Sequence, residues 1–134
     1  MEANRTYLFC PGNHPRKVEK VFVSGTDVVI LDLEDAVAIS EKPATRAVAV
    51  EALKHPRRCR GYVRVNAYDT EFCYGDIREI VGPWLDGIVL PKLESVDDLR
   101  SVDWLVGNLE RERGMEVGSI DIMPIIETAK GQDA

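Results

Sequence analysis

The sequence predicts an α/β fold built on a parallel sheet, and three observations carry that reading. Short apolar runs alternate along the chain with segments of helical spacing, each pair occupying about 30 residues. The run Val28-Val29-Ile30-Leu31 is β-branched and does not alternate with polar residues. Such a run suits a strand covered on both faces, as in a parallel sheet. Charged residues then gather where the apolar runs end. Two architectures fit this pattern: a doubly wound open sheet and a (β/α)8 barrel.

The elements follow in order. Tyr7-Leu8-Phe9-Cys10 is a first strand, stopped by Pro11-Gly12-Asn13. Pro15 suits the first turn of a helix, where its missing N–H is no loss. Val18, Val21 and Phe22 form that helix's apolar face, and Gly25 is its stop. Val28–Leu31 is the second strand and breaks into Asp32-Leu33-Glu34-Asp35. Ser40 and Pro43 mark a second helix start. Ala44, Ala47, Val48 and Leu53 give it an apolar face, and His55-Pro56 ends it. Tyr62–Asn66 reads as a third strand, followed by a weaker helix over about Gly75–Ile80. Gly87–Lys92 is the fourth strand. Ser95 with Asp98 resembles a capping box, and Val96, Leu99, Val102, Leu105 and Leu109 line a longer helix up to Gly114. Ile120–Glu127 is the fifth strand.

Composition narrows the function. The chain has 134 residues, 45% of them hydrophobic and 30% charged, with a net charge of −6. That apolar fraction belongs to a folded chain. The acidic balance argues against sequence-independent nucleic-acid binding, which requires a basic footprint. Local Lys and Arg can still hold an anionic ligand. No apolar run approaches the roughly 20 residues of a membrane helix, and the N-terminus lacks signal-peptide character. The expected setting is cytoplasmic. Cys10, Cys59 and Cys73 are three cysteines with no C-x-x-C spacing, which fits a reducing compartment better than a disulfide framework. His14 and His55 have no metal-ligand spacing. G-x-G-x-x-G and Walker patterns are absent, which weakens the nucleotide-binding doubly wound option.

The polar residues at the strand ends are the informative feature. Strand two ends in Asp32, Glu34 and Asp35, strand three carries Arg64 and Asn66, strand four ends in Lys92, and strand five ends in Glu127. In a parallel α/β fold these ends share one face, where ligands bind. A plainer reading stands beside this one. Strand-to-helix loops use Asp, Glu and Ser as helix caps, and Glu34, Asp35 and Glu94 could serve so. Arg64 lies within an apolar strand, where an unpaired guanidinium is costly. It requires a carboxylate, from the protein or from a ligand. Glu127, after an apolar strand, suits a hard cation such as Mg2+.

Taken together, Leu8–Asn13, Val29–Val37, Val63-Arg64-Val65-Asn66, Gly87–Lys92 and Ile125–Gly131 resemble the citrate lyase β-subunit family, within the HpcH/HpaI aldolase group. The stretches occur in that family's order, and the resemblance covers nearly the whole chain. His14 and Lys130 are mild departures.

The resemblance implies the N-terminal part, about five β/α units, of a pyruvate kinase-like TIM (β/α)8 barrel. Residues 1–134 would form a single, incomplete domain. It implies a Mg2+-dependent carbon–carbon lyase acting on citryl, citramalyl or malyl thioesters of coenzyme A or a carrier protein. Arg64 would hold substrate oxygens. Glu127 would ligate Mg2+ beside the substrate. Glu34 and Asp35 would position groups or assist proton transfer, and Lys92 would be a supporting charge. Full-length relatives are expected to form homo-oligomers, often trimers. The family's second acidic metal ligand would fall beyond residue 134, and a whole barrel needs about 250 residues. The alternative expectation for a chain of this length is a truncated, non-catalytic α/β fragment or interaction module. A phosphate-binding barrel fragment of unrelated function is a third.

Overall fold

The computed structural model describes residues 6–126. Among these, β1 (Tyr7–Pro11), α1 (Pro15–Phe22), β2 (Val28–Asp32), α2 (Lys42–Lys54), β3 (Arg60–Arg64), α3 (Cys73–Ile80), β4 (Gly87–Leu90), α4 (Val96–Glu112) and β5 (Asp121–Pro124) follow one another, with a 3-10 turn over Ile39–Glu41. The strands lie in the order β1-β2-β3-β4-β5, and every pairing is parallel. This order decides between the two architectures. A doubly wound sheet reverses its strand order at a switch point. Sequential parallel order, with right-handed crossovers, stacks every helix on one side, as in a barrel wall.

The two sides of the sheet confirm it. Val29, Leu31, Val63, Ile88 and Leu90 pack with residues of all four helices, including Val18, Leu53, Ile77 and Val106. Their neighbours along the strands, Val28, Ile30, Tyr62 and Val89, form a separate cluster with Met123 and Ile125 and no helical residue. The strand period of two thus separates a helix-covered face from an inner face. Burial of each large aliphatic side chain contributes roughly 2 kcal/mol, so the helix-side layer dominates stability. Gly87 lies on the inner face beside Tyr62. A Cβ there would run into the Tyr62 ring, which is buried and donates to Asp121 Oδ2 at 2.6 Å.

Several local expectations hold. Proline occupies the start of α1, and Ser95 Oγ accepts from Asp98 N at 3.1 Å to cap α4. Gly25 and Gly114 follow α1 and α4 with φ of 86° and 73°. Cys10, Cys59 and Cys73 are free, buried thiols. Burial pushes all three thiols up, Cys73 to about 12, so they serve as packing groups and not as nucleophiles.

Two helix faces differ from expectation. In α2 the buried positions are Lys42, Thr45, Ala49, Val50 and Leu53, while Ala44 and Ala47 are exposed. Alanines carry too little apolar area to fix a face, and the Thr45–Ala49–Leu53 stripe governs the packing. In α4 Val102 and Leu109 are buried as expected and Leu99 and Leu105 pack against the core, Val106 joins them, and Val96 in the first turn is exposed. The C-terminal half of α4 also carries Glu110, fully buried, which accepts from Gly118 N, Ser119 Oγ and Ile120 N at 2.9, 3.0 and 2.9 Å. That carboxylate seats the turn into β5. Strand five is shorter than expected, and Glu127 lies outside the described residues.

At the sheet's margins, β1 and β5 each have one strand neighbour among the described residues. Tyr7, Leu8 and Phe9 are 46%, 39% and 46% exposed. Apolar open edges template pairing between chains. The 134-residue chain purified alone is therefore expected to self-associate at micromolar concentration, with Leu8→Lys shifting it toward monomer. Light scattering checks this, and a monomeric mass for the unsubstituted chain would contradict it.

Candidate functional site

The inner face changes character at its C-terminal end. Register pairs Asp32 of β2 with Arg64 of β3 directly across the ladder. Both side chains fall on the inner face, in step with Val28, Ile30 and Tyr62. Arg64 Nε donates to Asp32 Oδ1 at 2.9 Å and Nη2 donates to Oδ2 at 2.7 Å. This bidentate fork is the strong form of a charge-assisted pair. The guanidinium also lies 4.7 Å from the centre of the Phe9 ring, a cation–π contact from β1. The protein itself therefore supplies the carboxylate that Arg64 requires. Both readings of this arginine survive, because the pair uses only one edge of the guanidinium. Among the described residues no acceptor takes the Nη1 hydrogens.

Asp32 also folds the loop that follows it. Its carboxylate accepts from Glu34 N at 2.8 Å and Ala36 N at 3.0 Å, and its backbone carbonyl accepts from Gly12 N at 3.0 Å. Burial alone would raise the Asp32 carboxyl. The hydrogen bonds from Arg64, Glu34 N and Ala36 N, with the arginine charge, outweigh burial and hold it below the ordinary carboxylate range.

Glu34 sits beside this pair, with its side chain only 8% exposed. Its Oε1 is 3.6 Å from Arg64 Nε and its Oε2 is 3.4 Å from Lys92 Nζ. Asp35 Oδ1 is 3.9 Å from the same ammonium, and Asp35 is exposed. Burial, then the neighbouring Asp35 charge, push the Glu34 carboxyl up, partly offset by Lys92 and Arg64. Adjacent carboxylates are thus driven in opposite directions, Asp32 down and Glu34 up. Opposed shifts of this kind are a property of acid–base sites. Lys92 reaches Glu34 from the loop after β4 with φ of 52°. A non-glycine residue in this left-handed region costs about 1 kcal/mol, and such strain concentrates at functional sites.

The structure thus brings together Glu34 and Asp35 from the loop after β2, Arg64 from β3 and Lys92 from the loop after β4. Asn66 has a different task. Its N and Nδ2 donate to Asp76 Oδ2 at 2.8 and 2.7 Å, and Asp76 also accepts from Arg46 Nε at 2.8 Å. This buried network anchors α3 to the end of β3. Two contributors escaped the sequence reading. Asp32 was visible at the strand end, and the register that makes it Arg64's partner was not. Lys42, in Glu41-Lys42-Pro43, has the look of an ordinary solvated helix start, yet it is buried. Glu127 lies outside the described residues. Among those described, no group of three His, Cys, Asp or Glu side chains could hold a metal ion.

Sequential parallel strands, one-sided helices and a charged cluster at the strand C-termini define part of a TIM-barrel-type protein with a candidate site on its C-terminal face. The HpcH/HpaI aldolase/citrate lyase family model matches residues 5–133, and the chain belongs to that family. The chain is 35% identical over 133 residues to citrate lyase subunit beta of Haemophilus influenzae, spanning 98% of this chain and 46% of that protein. It is 40% identical over 133 residues to the L-malyl-CoA/beta-methylmalyl-CoA lyase of Cereibacter sphaeroides, spanning 96% and 42%. Among solved structures, it is similar to the citrate lyase beta subunit from M. tuberculosis complexed with oxaloacetate and magnesium, at 32% identity and a TM-score of 0.72, over 96% of this chain and 50% of that one. Haloferax volcanii malate synthase, at 22% identity and a TM-score of 0.84, shares the fold, over 98% of this chain and 44% of that one. The chain spans less than half the length of the two lyases it matches.

Asp32 and Glu34 make opposite predictions for stability. The folded Asp32 carboxyl lies below its unfolded value of about 3.9. Its contribution is present above that pH and is lost as the pH falls through the folded value. Asp32→Ala is expected to cost about 3 kcal/mol near neutral pH, because it strips a buried guanidinium of its partner. It should also flatten acid unfolding, and denaturant titrations between pH 3 and 7 (roughly spanning carboxylate titration) check both. Glu34 lies above its unfolded value, so it opposes folding increasingly as the pH rises through that interval. Glu34→Gln is expected to leave the unfolding midpoint at neutral pH unchanged or higher. A clear drop would contradict the upward shift.

Proposed function

We propose that this chain supplies the first five β/α units of a Mg2+-dependent carbon–carbon lyase. Its substrates would be acyl thioesters of hydroxy di- or tricarboxylic acids, of citryl, citramalyl or malyl type, carried on coenzyme A or an acyl carrier protein. The products would be an acetyl thioester, formed through its enolate, and a keto acid. The observation that carries the reading is the pairing of Arg64, its Nη1 hydrogens open among the described residues, with a buried Glu34 3.6 Å away. The relatives' names, citrate lyase subunit beta and malyl-CoA lyase, point to the same chemistry.

The cluster's residues fit the steps. Arg64, locked by Asp32, offers fixed N–H donors to a substrate carboxylate at no cost in reorganisation. Cleavage requires the substrate hydroxyl to lose its proton. The bond between the hydroxyl-bearing carbon and the carbon next to the thioester carbonyl then breaks, and its electron pair forms the enolate. Glu34, whose carboxyl is pushed up by burial and the Asp35 charge, takes the hydroxyl proton. Asp35 and Lys92 tune that carboxylate from either side, one raising and one lowering its affinity. A proton returned to the enolate carbon completes the acetyl thioester.

Mg2+ enters this reading through Glu127, the sequence's candidate ligand, together with the magnesium in the M. tuberculosis relative's structure. The described carboxylates do not form a metal set of their own, so Asp32 and Glu34 are assigned to Arg64 and to the proton. When bound, Mg2+ would supply Lewis-acid polarisation of the substrate's hydroxyl or keto oxygen.

The test is thioester cleavage, with and without Mg2+, by the longest polypeptide its gene encodes. Arg64→Ala is expected to lower kcat/KM by about 100-fold or more, the usual scale for removing a preorganised oxyanion donor. Glu127→Ala is expected to abolish the Mg2+ dependence. Glu34→Gln should lower kcat while the fold stays intact. Unchanged turnover in any variant removes that residue from the site.

A further inference from the structure

Lys42 breaks three rules of placement at once. It is a cation on the first residue of α2, where the helix dipole favours acids. Its side chain is buried, with the whole residue 7% exposed. Among the described residues no carboxylate lies within ion-pair distance of it. Instead its ammonium donates to two backbone carbonyls, Leu33 O at 3.0 Å and Glu34 O at 2.6 Å. The Phe72 ring lies 5.9 Å away on its other side. Desolvating an ammonium for carbonyl partners alone is a poor route to stability. A residue that violates local preference without an evident stabilising gain is expected at functional positions.

The two carbonyls show what the arrangement holds. They belong to the peptide units on either side of the Glu34 Cα, so the ammonium restrains the backbone from which that carboxylate projects. The same turn is held on its other side by Asp32, through Glu34 N and Ala36 N. Asn66 Nδ2 adds a second donor to Leu33 O at 3.1 Å. Val37 N closes the turn onto Glu34 O at 3.3 Å.

We infer that Lys42 is a positioning residue: its buried ammonium clamps the Leu33 and Glu34 carbonyls and so fixes the direction in which the Glu34 carboxylate faces Arg64 and Lys92. The inference rests on the proposed role of Glu34 for its functional meaning, whereas the clamp itself is measurable without any turnover.

Amide hydrogen exchange on the longest polypeptide its gene encodes, resolved residue by residue by NMR, tests it. Lys42→Met keeps the length of the side chain and removes the donor. It is expected to speed exchange at Glu34, Ala36 and Val37 by about tenfold or more, the scale of one lost charge-assisted hydrogen bond. Val65 and Leu93, whose amides bond elsewhere, should keep their rates. Lys42→Arg, which retains two or more donors, should restore slow exchange at the turn. Unchanged rates at Glu34, Ala36 and Val37 in Lys42→Met would overturn the inference, as would a failure of Lys42→Arg to restore them. Should Lys42→Met speed exchange uniformly, or fail to fold, the unsubstituted chain decides. A Lys42 Nζ resonance with slowly exchanging ammonium protons supports the clamp, and one averaged with water overturns it. If the clamp holds while Glu34→Gln leaves lyase turnover intact, the proposed chemistry of Glu34 is at fault and not the positioning.

Discussion

The Asp32 carboxylate is the constraint on which the C-terminal end of this sheet depends. Its two oxygens accept the Arg64 fork on one side and the Glu34 and Ala36 amides on the other. Its own carbonyl takes the Gly12 amide from the turn after β1. One buried residue, through its side chain and its carbonyl, therefore ties β1, β2 and β3 together where the strands stop pairing. Each acceptor position is filled from a different direction, so the group cannot rotate without breaking several charge-assisted bonds. The guanidinium is immobilised as a result, and its remaining edge becomes a fixed feature. Rigidity of this kind is what a binding site needs and what exposed loops do not otherwise provide.

The barrel geometry explains why these groups meet. On the helix-covered face, Val29, Leu31, Val63, Ile88 and Leu90 pack with residues of α1 to α4. The inner face receives the alternate residues, and its apolar layer of Val28, Ile30, Tyr62 and Val89 ends at the level of Asp32 and Arg64. Inside that layer the Tyr62 hydroxyl has its partner in Asp121 of β5. At its end Asp32 of β2 meets Arg64 of β3, and the loops after β2 and β4 bring Glu34 and Lys92 within 3.4 Å of each other.

Much of this was legible in the sequence because it depends on local pattern. The unalternating Val28–Leu31 run announces a doubly covered strand, and the Pro15 and Ser95 signals place helix starts within a residue of those observed. The convergence of Glu34, Asp35, Arg64 and Lys92 follows from parallel topology alone. What stayed hidden depends on register and burial. Ala44 and Ala47 look like a core face, yet a stripe containing Thr45 wins, because a threonine hydroxyl can donate to Glu41 O within the helix, here at 2.8 Å, and still pack. Asp32 could not be matched with Arg64 until the ladder fixed which residues lie opposite. Nothing about a lysine beside a proline at a helix start signals that its ammonium is inside the protein.

The chain as a whole has a net charge of −6, and Arg64, Lys92 and Lys42 gather against Asp32, Glu34 and Asp35. Cations and carboxylates therefore offset one another within the cluster. A hydroxy-diacid thioester would bring further negative charge into this neutral setting, inside a protein that is acidic overall. Arg64's open edge can neutralise one carboxylate. A divalent cation answers the rest of that excess, which is the physical reason Mg2+ belongs with the proposed chemistry. It is also why the proposed ligand is Glu127 and not one of the carboxylates already held by lysine and arginine.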